Sequence, residues 1–321
     1  MIWTCASYQT PHIFRVMTTT IRKPSVVPVT PSSDREAFSR TDWALFSVIG
    51  VVWGSSFLFI KIGLSSLHPG LITFARVGLG ALVLLALRRG SRRIEATDRR
   101  NVILLSILWV GVPFTLFPLA EQHISSAAAG LLTGATPFFA GLFGSLWFGR
   151  TTRGPQRWGI GIGFVGVALI AVASGSVGGT APTGVAMVLA ATVCYGLATN
   201  MAGSLQHKYG SVRLMGVMLA LGSLWTAPFG LFGLSGSTWN TGSVAATLFL
   251  GVVGTGIAFV LMATLVGRVG GPRSSFITYL MPLVALLMGA TFLGETVTPL
   301  AIAGSTLVVG AAVLASRAEA R

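Results

Sequence analysis

The sequence predicts an all-α integral membrane protein in which ten transmembrane helices form two inverted five-helix repeats. Three observations predict this fold class: an apolar composition, a succession of apolar segments of membrane-spanning length, and an internal repeat. Hydrophobic residues make up 53% of the 321 residues, charged residues make up 9%, and the mean hydropathy is +0.79. A chain with so little polar surface is typical of membrane proteins and not of soluble globules.

Ten apolar segments are long enough to cross a bilayer core, which needs about 20 residues of helix. They are residues 43–61, 70–87, 102–120, 126–148, 157–174, 184–203, 213–233, 243–266, 273–293 and 297–316. Residues 1–41 are polar and rich in Pro, Ser and Thr, which favours a disordered cytoplasmic tail, with Met17 as an alternative start. Residues 317–321 form a short C-terminal tail.

The basic residues predict the orientation of these spans. An even number of spans puts both termini on one side, and 20 of the 22 Lys and Arg residues fall on that side. Lys and Arg accumulate in cytoplasmic loops, so both termini are predicted to be cytoplasmic. The two exceptions, Lys61 and Arg76, lie within spans and are the first candidates for function.

The chain resembles itself when it is shifted by 145 residues. This shift pairs Phe114 with Phe259, Thr133 with Thr278, and Pro137 with Pro282. Since five spans is an odd number, the second copy must be inserted upside down. The repeats are predicted at 42–175 and 182–316.

Inverted repeats favour a transporter, because two halves that rock about a midplane site produce alternating access. A channel-like or structural bundle without alternating access stays open as the alternative.

Several segments resemble the drug/metabolite transporter superfamily, and specifically its EamA-type permeases. They are WGSSFLFIKIGLSSLHPGLITFARVGLGAL at 53–82, SSAAAGLLTGATPFFAGLFGSLWFG at 125–149 and SSFITYLMPLVALLMGATFLGE at 274–295. One departure is Arg150 after Gly149, where the family usually has Gly-Glu, as at Gly294-Glu295. The resemblance implies that amino acids, related metabolites or drugs are moved across the plasma or inner membrane, with export favoured.

Arg76 and Lys61 are the charged candidates for a substrate site. A central Arg costs about 2.5–3.5 kcal/mol on insertion scales, so Arg76 should face the bundle interior or a water-filled cavity. It is either a cation for an anionic group of the substrate or a structural Arg bound by backbone carbonyls. Lys61 lies near the outer end of its span, where it can reach the interface or line an outer vestibule.

Aromatic and polar residues inside spans complete the predicted site. Trp53-Gly54 and Tyr195-Gly196 occupy comparable places in the first span of each half, and Tyr279 lies in the ninth. With Asn200, they are candidates for the wall of a solute site, although core packing is the commoner role of a single aromatic.

Pro137 and Pro282 are predicted to interrupt the fourth and ninth spans, because proline donates no backbone hydrogen bond. They are candidate kinks or hinges in the transport path.

No Asp or Glu lies in the middle of a predicted span, so a proton relay through a buried carboxylate is not indicated. Glu121 and His123, near the outer face, are groups that could titrate there.

Other function classes find less support. The positive charges lie in short runs between spans and form no face for nucleic acid. The four scattered histidines and two cysteines give no metal site, and no cofactor motif or catalytic cluster is found. The glycines at 159, 161, 163 and 166 match G-x-G-x-x-G, but they lie inside a span, which indicates helix packing. The expected partners are a small-molecule substrate and the lipid bilayer; monomer or homodimer is left open.

Overall fold

The computed structural model describes residues 38–87, 93–147, 154–175, 181–270, 274 and 276–319, and these residues are almost all helical. The predictions for residues 1–37, for Gly149-Arg150 and for residues 320–321 lie outside these ranges. Helices α1–α14 are Arg40–Gly54, Ser56–Leu64, Pro69–Leu87, Ala96–Leu105, Val112–Ala120, Ser126–Thr133, Thr136–Leu146, Gly154–Gly175, Ala181–Tyr209, Ser211–Phe232, Thr241–Gly251, Ala258–Val269, Ile277–Phe292 and Pro299–Glu319. Two π-helical turns, Ser106–Gly111 and Val252–Ile257, join α4 to α5 and α11 to α12.

Seven helical stretches in the described residues are long and apolar enough to cross a membrane. They are Arg40–Leu64, Pro69–Leu87, Ala96–Ala120, Ser126–Leu146, Pro182–Tyr209, Ser211–Phe232 and Thr241–Val269. Three shorter apolar helices, Gly161–Ile170, Ile277–Phe292 and Pro299–Ala311, coincide with the remaining predicted spans. The protein is therefore an all-α, multi-span membrane protein, and the count of ten spans stays a prediction.

The largest contacts between helices join segments that the sequence predicts to be equivalent. The pairs α8–α14, α3–α10 and α6–α13 each join corresponding spans of the two halves. Two further sets match by predicted span. The third span packs on the sixth (α5–α9) and the eighth on the first (α2–α11), and the fourth packs on the sixth (α7–α9) and the ninth on the first (α1–α13). Likewise α3 packs on the second π turn, and α10 packs on the first.

Glycines allow several of these helices to touch backbone to backbone. A Cβ on Gly166 would lie 2.7 Å from the carbonyl oxygen of Gly304, and one on Gly304 would lie 2.8 Å from that of Gly166. This reciprocal approach joins α8 to α14, which is the helix-packing role predicted for the G-x-G-x-x-G segment. Gly161, in contrast, faces open space.

Two groups of ion pairs fasten helix ends on the side predicted to be cytoplasmic. Lys208, near the end of α9, lies 2.6 Å from Glu95 and 2.7 Å from Asp98 at the start of α4. Arg268, near the end of α12, lies 2.5 Å from Asp42 in the first turn of α1. Because these charges are at helix ends, they bind the halves together without entering the apolar interior.

Candidate substrate site

The guanidinium of Arg76 is held inside the bundle by the second π turn. Arg76 lies on α3 and is 8% exposed. Its Nε donates to Thr255 Oγ1 at 3.1 Å, and its Cζ lies 4.5 Å from the ring centre of Phe114 on α5. Thr255 in turn donates to the carbonyl of Leu250 at 2.8 Å. The bond to Thr255 uses only Nε. It does not involve the two Nη groups, which are the groups that an arginine commonly uses to bind a carboxylate.

Trp53 reaches the same π turn from α1. Its Nε1 donates to the carbonyl of Gly254 at 3.2 Å, and its ring meets that of Phe259 edge to face at 5.5 Å. Trp53 and Arg76 thus bind to adjacent residues, Gly254 and Thr255. The structure therefore brings together two of the predicted site residues, and irregular helical turns of this kind are frequent at functional sites.

Tyr195 on α9 approaches Arg76 from the other half. The Tyr195 ring lies 6.0 Å from that of Phe117, one turn along α5 from the Phe114 ring that Arg76 contacts. Phe114 and Phe117 lie one turn apart on α5, so one helix face contacts both Arg76 and Tyr195. Sequence reasoning did not select these phenylalanines as site residues, although the match of Phe114 with Phe259 in the repeat was the signal that pointed to one of them.

The other two predicted wall residues, Asn200 and Tyr279, have different neighbours from Arg76 and Trp53. The Nδ2 of Asn200 donates to the carbonyls of Ala140 at 2.8 Å and Gly196 at 2.9 Å, which joins α9 to α7. Its buried Oδ1 has no hydrogen-bond partner among the described residues. Tyr279 lies near the start of α13 with its ring 5.8 Å from that of Phe276.

Lys61 is half-buried, and its ammonium group donates hydrogen bonds within the protein. Its Nζ donates to the carbonyl of Glu121 at 2.5 Å and to that of Ile124 at 3.1 Å. The side chain therefore fixes the turn between α5 and α6. Lys61 also lines a cavity, in keeping with the alternative that it lines an outer vestibule.

The two prolines occupy different places in their spans. Pro137 lies in the first turn of α7, just after the break at Gly134 and Ala135. Because it has no N–H for the carbonyl of Thr133, the hydroxyl of Thr136 donates to that carbonyl at 2.8 Å. Pro282 lies inside the continuous helix α13. A Cβ on Gly134 would lie 3.0 Å from Pro282 Cγ, so the break packs directly against the second proline.

A cavity of about 450 Å³ lies beside Lys61, at the end of the bundle predicted to face outwards. Its lining includes Gln122, His123 and Glu295. The Glu295 carboxylate accepts from the backbone N–H groups of Ser126 at 2.7 Å and Ala127 at 2.8 Å. A carboxylate here satisfies free donors at the start of α6 and complements the positive end of the helix.

Glu121 lies at a span end, as the sequence predicts, but it is buried. It follows the last residue of α5, and it is 0% exposed. Neither carboxyl oxygen has a hydrogen-bond partner among the described residues. Burial raises the pKa of Glu121 well above its usual range, and Glu295 adds to this rise, whereas Lys61 and Arg76 oppose it. The sequence placed Glu121 at a span end, but the helices that cover it are distant in the chain.

In the described parts of the chain, no group of three His, Cys, Asp or Glu side chains is arranged to hold a metal ion. The interior holds a buried cation, a buried carboxylate and aromatic rings, together with buried Ser and Thr hydroxyls. Such groups can bind a small charged or zwitterionic solute.

Comparison with known proteins agrees with a transport function. The chain is similar to the "Probable terminal-alkyne amino-acid exporter" of Streptantibioticus cattleyicolor, with 28% identity over 87% of this chain and 94% of that protein. It is also similar to the "Uncharacterized inner membrane transporter YedA" of Escherichia coli K12, with 27% identity over 84% of this chain and 89% of that protein.

The fold is shared with a solved crystal structure. The TM-score is 0.61 at 20% sequence identity, and the match covers 86% of this chain and 96% of the other. The profile of the EamA-like transporter family matches residues 42–172 and again residues 182–317. The two matches together span most of the sequence, and the chain therefore belongs to the EamA-like transporter family.

Proposed function

We propose that the protein exports amino acids or related small metabolites by alternating access, with Arg76 as the cation that binds the substrate carboxylate. The observation that carries this proposal is the position of Arg76. A charge is expensive in a bundle surrounded by lipid, and Arg76 is nevertheless buried there with its Nη groups not required by its bond to Thr255. Phe114 covers the guanidinium, and we assign Trp53, which binds the neighbouring residue Gly254, and Tyr195 to the aromatic walls of the same site.

The inverted repeat is supported by the paired contacts. Each half contributes one π turn, and each π turn packs on the second span of the other half. Gly54 approaches the carbonyl of Met281 on α13, and Gly196 approaches the amide of Ala140 on α7. Each approach joins the predicted first span of one half to the predicted fourth span of the other. The two matches of the family profile further support a division into two related units, which is the arrangement that alternating access uses.

The substrate class is supported by chemistry and by one relative. Arg binds carboxylates in a planar, bidentate geometry, and every α-amino acid carries a carboxylate. The relative from Streptantibioticus cattleyicolor is named as an amino-acid exporter. We place the protein in the inner membrane, as in the name of the Escherichia coli relative, with both termini in the cytoplasm.

The test compares metabolites inside and outside cells that express the wild type, Arg76→Ala, or neither. Arg99→Ala is the matched control, because Arg99 is exposed at the start of α4. We expect the wild type and Arg99→Ala to redistribute amino acids, and Arg76→Ala to lose most of this activity at equal abundance in the membrane. Equal redistribution by Arg76→Ala would make Arg76 structural.

A channel-like bundle is the alternative, and counterflow separates it from a transporter. Unlabelled amino acid on one side of the membrane should accelerate entry of labelled amino acid from the other side. A passive pore cannot produce this stimulation, so its absence, with flux present, would favour the channel.

A further inference from the structure

The cavity of about 450 Å³ beside Lys61, the outer cavity, is separate from the site around Arg76. The described residues that line it do not include Arg76, Trp53 or Tyr195. Its walls come from α2, from the start of α6, from α13 and from the loop before α14. Small-molecule sites commonly have volumes of about 300–1,000 Å³, so the outer cavity is large enough for a small solute.

Two opposite charges line the outer cavity without being paired with each other. Lys61 and Glu295 are both among its lining residues. Among the described residues, no ion pair joins one to the other. A cation and an anion in one cavity, each without the other as a partner, complement a ligand that carries both charges.

Each of these two groups has about one hydrogen-bonding position left. The ammonium of Lys61 has three N–H groups, and two of them donate to backbone carbonyls. A carboxylate has about four acceptor positions, and Glu295 uses three of them, for the amides of Ser126 and Ala127 and for the hydroxyl of Ser126. These bonds hold both groups in place, so a ligand would meet a preorganised cation and a preorganised anion.

Polar and apolar side chains complete the lining of the outer cavity. Gln122 and His123 are polar, and their side chains make no hydrogen bond to another residue in the described ranges. Leu131, Leu286 and Ala301 supply an apolar wall. A ligand with a zwitterionic head and a short apolar chain matches this combination.

We propose that the outer cavity is a second binding site, which takes an amino acid with an apolar side chain in its zwitterionic form. Glu295 accepts a hydrogen bond from the ammonium of the ligand, Lys61 donates one to its carboxylate, and the apolar wall contacts its side chain. The cavity lies at the end of the bundle predicted to face outwards, so an amino acid that has left Arg76 binds here before it reaches the medium. This role in export rests on the proposed function, whereas the binding itself does not require Arg76.

Photo-leucine, a leucine analogue that carries a diazirine, is the probe that tests this site. The purified full chain in liposomes is irradiated with the probe, digested and analysed by mass spectrometry. We expect labels within residues 122–131 and 286–301, and we expect excess leucine to displace them. N-acetylleucine lacks the ammonium and leucinamide lacks the carboxylate. Each should therefore need a concentration at least about tenfold higher than leucine, since each loses a charge-assisted hydrogen bond.

Two variants on α14 separate the outer cavity from the surface around it. Ala301→Phe would place a ring in the cavity, and we expect labelling to fall about tenfold. Ala303→Phe is the matched control and should keep the labels, because Ala303 is exposed on the same helix and does not line the cavity. Arg76→Ala should keep them too. Competition by the two leucine derivatives uses the wild type, so it decides the matter even if Ala301→Phe does not fold.

The failures of the two proposals are distinguishable when counterflow is measured in the same liposomes. Labels that Arg76→Ala keeps, together with counterflow by the wild type, support both proposals. Loss of the labels in Arg76→Ala, displacement by N-acetylleucine as effective as by leucine, or no label in the cavity would overturn the second site and leave amino acid export standing. Cavity labels without counterflow would support the second site and contradict export.

Discussion

Thr255 links the charged and the aromatic parts of the candidate site. Its hydroxyl donates to Leu250 and accepts from Arg76, and the carbonyl of its neighbour Gly254 accepts from Trp53. A hydroxyl can donate and accept at the same time, which is what this position requires. One small side chain thus fixes the orientation of the guanidinium.

Replacing Thr255 by Val should destabilise the protein by about 1–3 kcal/mol, because it leaves a buried charged donor without its acceptor. Thr255→Ser keeps the hydroxyl and is the matched control. The measurement is thermal denaturation of each purified variant in the same detergent. A Thr255→Val protein that melts with the wild type would mean that water replaces the lost acceptor.

At the level of single residues, the sequence indicates Arg76 but not the residues that surround it. Arg76 could be selected because a charge inside an apolar segment is conspicuous. Phe114 and Phe117 could not, since 19 phenylalanines occur in the chain and most of them pack in the core or face lipid. The burial of Glu121 was missed because it depends on helices that are remote in sequence.

Among the helices, α6 depends on a residue from the other half of the chain. The Glu295 carboxylate binds the amides of Ser126 and Ala127, and the hydroxyl of Ser125 accepts from the amide of Ala128 at 3.1 Å. The first turn of a helix has free donors, and inside a membrane protein these need partners. The loop before α14 therefore holds the start of α6.

Glu295→Ala should cost about 1–3 kcal/mol, because it removes charge-assisted hydrogen bonds from two backbone donors. Glu295→Gln keeps one acceptor oxygen and should lie between Ala and the wild type. Hydrogen exchange of residues 126–133 by mass spectrometry is the readout, and we expect faster exchange in the Ala variant. Unchanged exchange would show that other groups cap α6.

The interruption of the fourth span was partly predictable from the sequence. Pro137 predicted an interruption, and the structure breaks the span at Gly134 and Ala135. It also adds a detail that no pattern indicates: Thr136 supplies the donor that the proline lacks. Pro282 lies at the matching position in the repeat, yet α13 continues through it. The same residue thus has different effects, because the surrounding chain differs.

At the scale of the molecule, an inverted repeat predicts which loops lie on each side of the membrane. If the halves are inverted repeats, the turn after α5 and the loop after α10 lie on the outside, and the start of α4 lies in the cytoplasm. The apolar segments that define these spans are local features, so the sequence could predict them. The packing between halves is not local, and only the structure provides it.

Cysteine labelling tests this topology. In a Cys5→Ser, Cys194→Ser background, single cysteines are introduced as Gln122→Cys, Ser235→Cys or Arg99→Cys, all at exposed positions. We expect an impermeant maleimide to label the first two in intact cells, and the third only after permeabilisation. Labelling of Gln122→Cys and Ser235→Cys from opposite sides would contradict the ten-span, inverted arrangement.

The number of residues in the π turn at Ser106–Gly111 determines which side chains of the third span face the candidate site. Each residue of an α-helix turns the chain by about 100°, and a π turn accommodates one residue more than an α turn. Deleting one residue there would rotate everything that follows relative to everything before. Phe114 would leave Arg76, Phe117 would leave Tyr195, and Glu121 would leave the place where Lys61 and Glu295 surround it. The spacing of the chain, and not only the identity of its residues, therefore keeps Phe114, Phe117 and Glu121 on one side of the third span.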